Sequence, residues 1–180
     1  HEQDITKMGG LKSCLPITYV TFFVGGLSMI GFPIFSGFFS KDLIIEALRF
    51  EGQLIAYYTL ILGILVTTLY TSKIFFKVFY GENKLTNFNE NEPEHNKILL
   101  VPLGVLAVFS IFIGLLLFKP IIEDNYFNSS LTDSIKLKEF FVASISTSHE
   151  LIIHSFTSLS FLTVIIGLFS SYLLFFQSRL

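Results

Sequence analysis

Tryptophan is absent from this 180-residue chain, cysteine occurs once, and charged side chains make up only 14% of it. A lone cysteine, Cys14, cannot form an internal bridge, which excludes a disulfide scaffold. Twelve Lys and Arg stand against 14 Asp and Glu, a net charge of −2 with no basic block, so a nucleic-acid binder is excluded too. The chain also lacks CxxC, HExxH, a P-loop, GxGxxG and any Ser/His/Asp constellation. It therefore carries no redox centre, metal site, nucleotide site or nucleophile of its own. His149 and His154 are five residues apart and fall on different helix faces, so they do not make a metal pair.

What is present is apolar: 52% of the residues, among them 22 Phe, with a mean hydropathy of +0.67. A soluble domain of this size still exposes roughly 30% of its unfolded surface and carries roughly 25% charge. This composition fits neither a freestanding soluble enzyme nor a disordered tail. Abundant Phe without Trp hints at an AT-rich organellar genome. The expected solvent is lipid.

A spanning helix needs about 20 apolar residues. Four uncharged runs reach that length: Ser13 to Ser40, Gly52 to Ser72, Ile98 to Phe118 and Ser155 to Ser178. Stretches such as the one from Ile98 to Phe109 do not alternate apolar and polar residues, so a β-barrel is excluded. The fold class expected is all-α, a polytopic membrane helical bundle of about four transmembrane helices, the first discontinuous. The divisions expected are a loop at 1–12, a discontinuous transmembrane helix at 13–50, a span at 52–78, a loop at 79–97 and a span at 98–119. A loop at 120–153 follows, in which Phe140 to Ile153 suits an interfacial helix, and then a last span at 154–178.

Lys and Arg in short loops set orientation. Lys7, Lys12, Lys73, Lys77, Lys84, Lys97 and Arg179 fall on one side, against Arg49, Lys119, Lys136 and Lys138 on the other. Both termini are expected on the cytoplasmic or matrix side. Nothing before Ser13 resembles a signal peptide, and His1 is no start of translation. The Asn128-Ser-Ser sequon, as a bare three-residue pattern, carries no argument.

The first run is too long and too interrupted for one regular helix. Its middle reads Gly31-Phe-Pro33-Ile-Phe-Ser-Gly37-Phe-Phe-Ser-Lys41-Asp42. Proline removes a backbone donor and clashes with the carbonyl four residues back, and the glycines weaken the helix further. Two half-helices are expected, about Pro16–Ile30 and Ser36–Phe50, joined by an unwound stretch. Such a break survives in a bilayer only where protein or a water-filled cavity satisfies the freed backbone.

Lys41 lies just beyond it. On one reading it ends the first span and snorkels to the interface. On the other, the broken helix uses most of Pro16 to Phe50 to cross once, and Lys41 is inside the hydrocarbon zone. An ionisable group there marks a proton path, because a desolvated ammonium exchanges its proton more readily than a solvated one. Asp42 is then a next station, or a counter-charge reached around the break. Glu46, at i+4 from Asp42, reads as interfacial. Lys73 and Lys77 read as snorkelling side chains at the end of the second span.

Three segments together carry a resemblance. His1-Glu-Gln-Asp-Ile-Thr-Lys-Met-Gly-Gly-Leu11, Leu15-Pro16 and Gly31-Phe-Pro-Ile-Phe-Ser-Gly-Phe-Phe-Ser-Lys-Asp-Leu-Ile-Ile-Glu46 resemble the chain 5 family of NADH–ubiquinone oxidoreductase, respiratory complex I. More broadly, they resemble the antiporter-like subunits shared with cation/proton antiporters. The likeness is sharp over residues 1–80, fainter from Glu92 to Leu103, and only hydropathic after about Lys119. It implies inverted repeats with discontinuous helices. It also implies that the Gly31–Asp42 segment is the second broken helix, that Lys41 is the lysine in the proton path, and that Asp42 is the acid following it. The upstream half with its own broken helix is missing from the pattern, as are a lateral helix and its anchoring span. Thr6 departs from the basic residue common at its position.

The resemblance implies no cofactor bound by this chain, with NADH, FMN, iron–sulfur clusters and ubiquinone elsewhere in the complex. Its implied partners are other membrane-arm subunits, including a separate chain with the upstream helices and one carrying the lateral helix, together with membrane lipid. The implied location is the mitochondrial inner membrane, or alternatively a bacterial plasma membrane. A split subunit and a piece of a longer chain fit the residues equally. The function expected is proton conduction coupled to NADH:ubiquinone electron transfer, without independent catalytic activity. The alternatives are a piece of a free-standing Na⁺/H⁺ antiporter and a scaffold with no proton path of its own.

Overall fold

The computed structural model describes residues 4–5, 8–81, 97–118 and 156–176, and all regular structure among these is helical. Five α-helices follow one another: α1 (Pro16–Ile30), α2 (Ser36–Phe50), α3 (Leu54–Phe79), α4 (Lys97–Phe118) and α5 (Leu159–Ser171). The last runs into a π-helical turn, Tyr172–Phe176. The expected interfacial helix between Phe140 and Ile153, residues 82–96 of the loop expected at 79–97, and both His149 and His154 lie outside the described residues.

Local chemistry sets the ends of the first two helices. Pro16 opens α1, where a missing N–H costs nothing. Gly31 closes it in the left-handed region at φ 83°. Its N–H donates to the Ser28 carbonyl and that of Phe32 to the Leu27 carbonyl, at 3.1 and 3.0 Å. This pair of bonds is a Schellman cap, which needs a residue free of Cβ strain. Gly52, at φ 73°, ends α2 in the same way, with Gly52 N–H donating to Arg49 and Gln53 N–H to Leu48.

Between α1 and α2 the chain makes a turn closed by Phe35 N–H donating to the Phe32 carbonyl at 3.3 Å. Pro33 takes the second position of this turn, and Ile34 the third with φ 83°. That is the pattern of a type II turn, whose third position ordinarily holds glycine.

α1 and α2 lie in series rather than side by side, and α3 shows it. The start of α1 adjoins the end of α3, where Leu11 and Lys12 N–H groups donate to the Val78 and Phe79 carbonyls. Tyr19 there packs on Phe75 and Phe79. Ile30 and Ile45, from either side of the break, meet Ile64, Ile61 and Tyr57 farther back along α3. The three-residue turn through Gly52 then joins α2 to the start of α3. α3 thus runs antiparallel to both halves in turn. Its 26 residues rise about 39 Å, longer than the roughly 30 Å hydrocarbon core of a bilayer. α3 and the segment Ile98–Leu117 of α4 are long and apolar enough to cross a membrane; α1 and α5 are shorter apolar helices.

α4 packs along both halves of the pair. Its Gly114 comes so close to the start of α2 that a Cβ there would lie 2.6 Å from the Phe39 ring and 2.7 Å from Ser36 Cα. α5 lies against α3 with the same polarity: Val164 joins the cluster around Ile61 and Ile64. Gly167 abuts Thr68, and Lys73 lies 5.8 Å from the Phe175 ring. Lipid tails are as apolar as these side chains, so what favours helix on helix is close packing at small residues. Glycines 114 and 167 supply it.

Candidate functional site

The break leaves carbonyls at the end of α1 and N–H groups at the start of α2 without intrahelical partners. The two halves satisfy each other. The Ser28 hydroxyl, on the last turn of α1, accepts from the Gly37 N–H at 3.1 Å and lies 3.3 Å from the Ser36 hydroxyl. In the other direction, the Lys41 ammonium donates to the Met29 carbonyl at 2.5 Å. A cation at the carbonyl end of a helix is favoured by both the free carbonyl and the helix dipole.

Gly37 is required by this arrangement. A Cβ at 37 would lie 1.9 Å from the Ser28 carbonyl oxygen. Gly31 has a second role besides its positive φ, since its backbone lies under the Lys41 stem; a Cβ there would meet Lys41 Cδ at 3.4 Å. Pro33 is fully buried in the turn. The five residues singled out in the sequence, Gly31, Pro33, Gly37, Lys41 and Asp42, therefore converge on one place.

Lys41 is half-buried and Asp42 only 3% exposed. Successive residues on a helix point about 100° apart, so the two do not share a face. They nonetheless border a common cavity, lined also by Gly31, Pro33, Ile64 and the first turn of α5. Ile64 is near the middle of α3, about 15 Å from the start of that helix. The site stands at the same depth. Glu46, one turn beyond Asp42 on α2, is half-buried. Lys77 lies in the last turn of α3, with Lys73 one turn before it, both away from the break.

Sequence reasoning passed over Ser28, Ser36 and the α5 hydroxyls Ser158 and Ser160, which the fold brings to the same locus. Ser28 and Ser36 flank the Gly–Pro segment on both sides, a signal legible once each half-helix is required to cap the other. Ser158 and Ser160 are more than a hundred residues downstream, and no local pattern ties them to the break.

Residues 1–71 match a family described as NADH:quinone oxidoreductase/Mrp antiporter, transmembrane. The chain is 34% identical over 179 residues to NADH-quinone oxidoreductase subunit L of Neisseria meningitidis serogroup A, covering 84% of this chain and 27% of that protein. It is 39% identical over 155 residues to NADH-ubiquinone oxidoreductase chain 5 of Phytophthora infestans, covering 78% and 23%. Against subunit L of Rickettsia conorii the identity is 38% over 135 residues, covering 73% and 20%. The chain spans about a quarter of the length of the curated relatives it matches.

Proposed function

Through residues 1–71 the chain belongs to the transmembrane family of NADH:quinone oxidoreductases and Mrp antiporters, and we propose from this that it forms part of an antiporter-like membrane-arm subunit conducting protons. Conduction is coupled to NADH:quinone electron transfer carried out elsewhere in the complex. Lys41 and Asp42 are the groups that take up and pass on the proton, and the Gly31–Pro33–Gly37 break makes room for them in the bilayer. The observation that carries this reading is the lysine's position. Its ammonium is bonded to a carbonyl freed by the helix break, beside a buried carboxylate, level with the middle of a membrane-length helix. A charge there costs about 3 kcal/mol on insertion scales, and reciprocal capping offsets part of that cost.

The neighbours of this chain are then other membrane-arm subunits, among them one supplying the upstream helices, together with lipid. The excess of Lys and Arg on the side of Lys12, Lys73 and Lys77 supports both ends facing the matrix of a mitochondrial inner membrane, or the cytoplasm of a bacterium. No cofactor is assigned to this chain.

The test is Lys41→Met in the assembled complex reconstituted into vesicles. Protons moved per NADH oxidised should fall, while NADH oxidation measured with an uncoupler persists. An unchanged ratio in fully assembled enzyme rules out a direct role for Lys41. Co-purification of flavin and iron–sulfur subunits separates this reading from a free-standing cation/proton antiporter.

A further inference from the structure

Ile34 is the one non-glycine residue at positive φ among the described residues. That conformation is strained for a β-branched side chain, and core packing does not account for it, since Ile34 is 46% exposed. The flanks of its turn are fixed. On one side the Phe32 N–H completes the cap of α1, and the Phe32 ring lies 6.1 Å from that of Phe161. On the other, the Phe35 carbonyl accepts from the Phe38 N–H at 3.0 Å. The peptide between Pro33 and Ile34 is held differently. Among the described residues, neither the Pro33 carbonyl nor the Ile34 N–H has a hydrogen-bond partner. Type II and type I turns differ by the rotation of this one peptide. Turning it over changes ψ of Pro33 by about 150° and φ of Ile34 by about 170°, and leaves the outer two dihedrals nearly as they are. Both turns keep the bond from the Phe35 N–H to the Phe32 carbonyl, and both accept proline at the second position. The rotation therefore breaks no hydrogen bond among the described residues, leaves α1 and α2 in place, and returns Ile34 to negative φ.

We propose that the Pro33–Ile34 peptide is a two-position switch in the helix break, turning over between the type II position seen here and a type I position with the charge state of Lys41. This rests on the reading of Lys41 as a proton carrier. Pro33 and Lys41 border the same cavity, and the Gly31 backbone two residues before Pro33 lies under the Lys41 stem. A peptide unit carries a dipole of about 3.5 D, and turning it over exchanges the sides to which its carbonyl and N–H point. An ammonium and an amine interact differently with that dipole. Each charge state therefore favours one position of the peptide, and by linkage each position favours one charge state. Ile34 keeps the two positions close in energy. Glycine in its place would fix the turn as type II, whereas a β-branched residue at the third position works against it.

The experiment compares Ile34→Gly, Ile34→Ala and Lys41→Met in the assembled complex in vesicles. Protons moved per NADH are measured alongside uncoupled NADH oxidation and the inactivation temperature. Ile34→Gly removes the strain and shifts the balance toward type II roughly tenfold. Its proton ratio should fall toward that of Lys41→Met while its inactivation temperature stays level or rises. Ile34→Ala loses the same side chain beyond Cβ but stays strained at positive φ, and it should keep most of the wild-type ratio. A wild-type ratio in Ile34→Gly alongside loss in Lys41→Met overturns the switch and leaves the lysine reading standing. A wild-type ratio in Lys41→Met overturns the link to the lysine whatever Ile34→Gly does. Loss in Ile34→Ala equal to that in Ile34→Gly assigns the effect to side-chain contacts and overturns the proposal, as does a ratio that falls together with the inactivation temperature. Should Ile34→Gly block assembly, density maps of the unaltered complex at rest and in turnover decide. A Pro33 carbonyl pointing in opposite directions in the two supports the switch, and one direction in both overturns it.

Discussion

Adding one methyl group at Gly37 should part the two halves of the broken helix. The Cβ of Gly37→Ala would lie 1.9 Å from the Ser28 carbonyl oxygen, 2.8 Å from its carbonyl carbon and 3.1 Å from its hydroxyl. Two of these are backbone atoms, so no rotamer change relieves the contact. Relief requires the start of α2 to move by more than an ångström away from the end of α1. That motion disrupts the Gly37–Ser28 bond and weakens the Lys41–Met29 bond, since both cross the same gap. Lost hydrogen bonds cost about 1 kcal/mol for the neutral one and about 1.5–3 for the charged one, and overpacking costs a further 1–3 kcal/mol or so. The sum is about 3.5–7 kcal/mol, comparable with the net stability of a small domain. The control is Gly63→Ala on α3, where nothing lies within 4 Å of the added atom. That change should be neutral or stabilising by up to about 1 kcal/mol. Thermal inactivation and native-gel assembly of the complex measure both. Pairing Gly37→Ala with Ser28→Ala should not rescue it, because the clash is with backbone. If the Gly37 and Gly63 variants assemble and inactivate alike, the close approach of the halves is wrong.

Two further substitutions test other contacts. Gly167→Ala puts a Cβ 2.9 Å from Thr68 Cβ and Cγ2 at a close approach of α5 to α3. It should cost about 1–3 kcal/mol, seen as a lowered inactivation temperature that Thr68→Ser partly restores. Ile34→Gly relieves a β-branched residue held at φ 83°. It should raise or leave unchanged the inactivation temperature despite the lost side chain, since such a conformation costs about 1–3 kcal/mol; a clear drop contradicts a type II turn there.

Length and composition made the helical membrane fold legible, because no other packing absorbs four long uncharged runs in so short a chain. The break was legible for a local reason: Pro33 cannot continue a helix, and Gly31 can end one in the left-handed region. Gly37 was legible only in part. Its flexibility suggested a weakened helix, yet the fold needs it inside a regular helix for the opposite property, the absence of a side chain where two backbones touch. Ile34 was not legible at all, since a β-branched residue gives no sign that it will take the third position of a tight turn at positive φ. Ser158 and Ser160 were hidden because their approach to Asp42 depends on how α5 is placed along α3. The tight contact of Gly167 with Thr68 fixes that placement, and no periodicity within α5 encodes it.

On the proposed reading, only one of the contacts that stabilise the break, that of Lys41 with the Met29 carbonyl, belongs to a proton carrier, and this limits how the site can work. An ammonium has three N–H donors and an amine keeps two, so Lys41 can hold the Met29 carbonyl in either protonation state. What changes is the charge opposite the end of α1, an interaction worth at most about 2 kcal/mol in a partly buried setting. The halves therefore need not separate when the lysine releases its proton. The Schellman bonds at Gly31 and the Ser28 cap on Gly37 do not involve the ammonium at all. A break held by Lys41 alone would open with each cycle and admit water along its length. A break held mainly by glycine contacts and a serine cap stays closed whichever protonation state the lysine has. On this argument Lys41→Met should impair proton movement far more than assembly, and Gly37→Ala should impair both together. The contrast between those two variants distinguishes a conducting residue from a structural one.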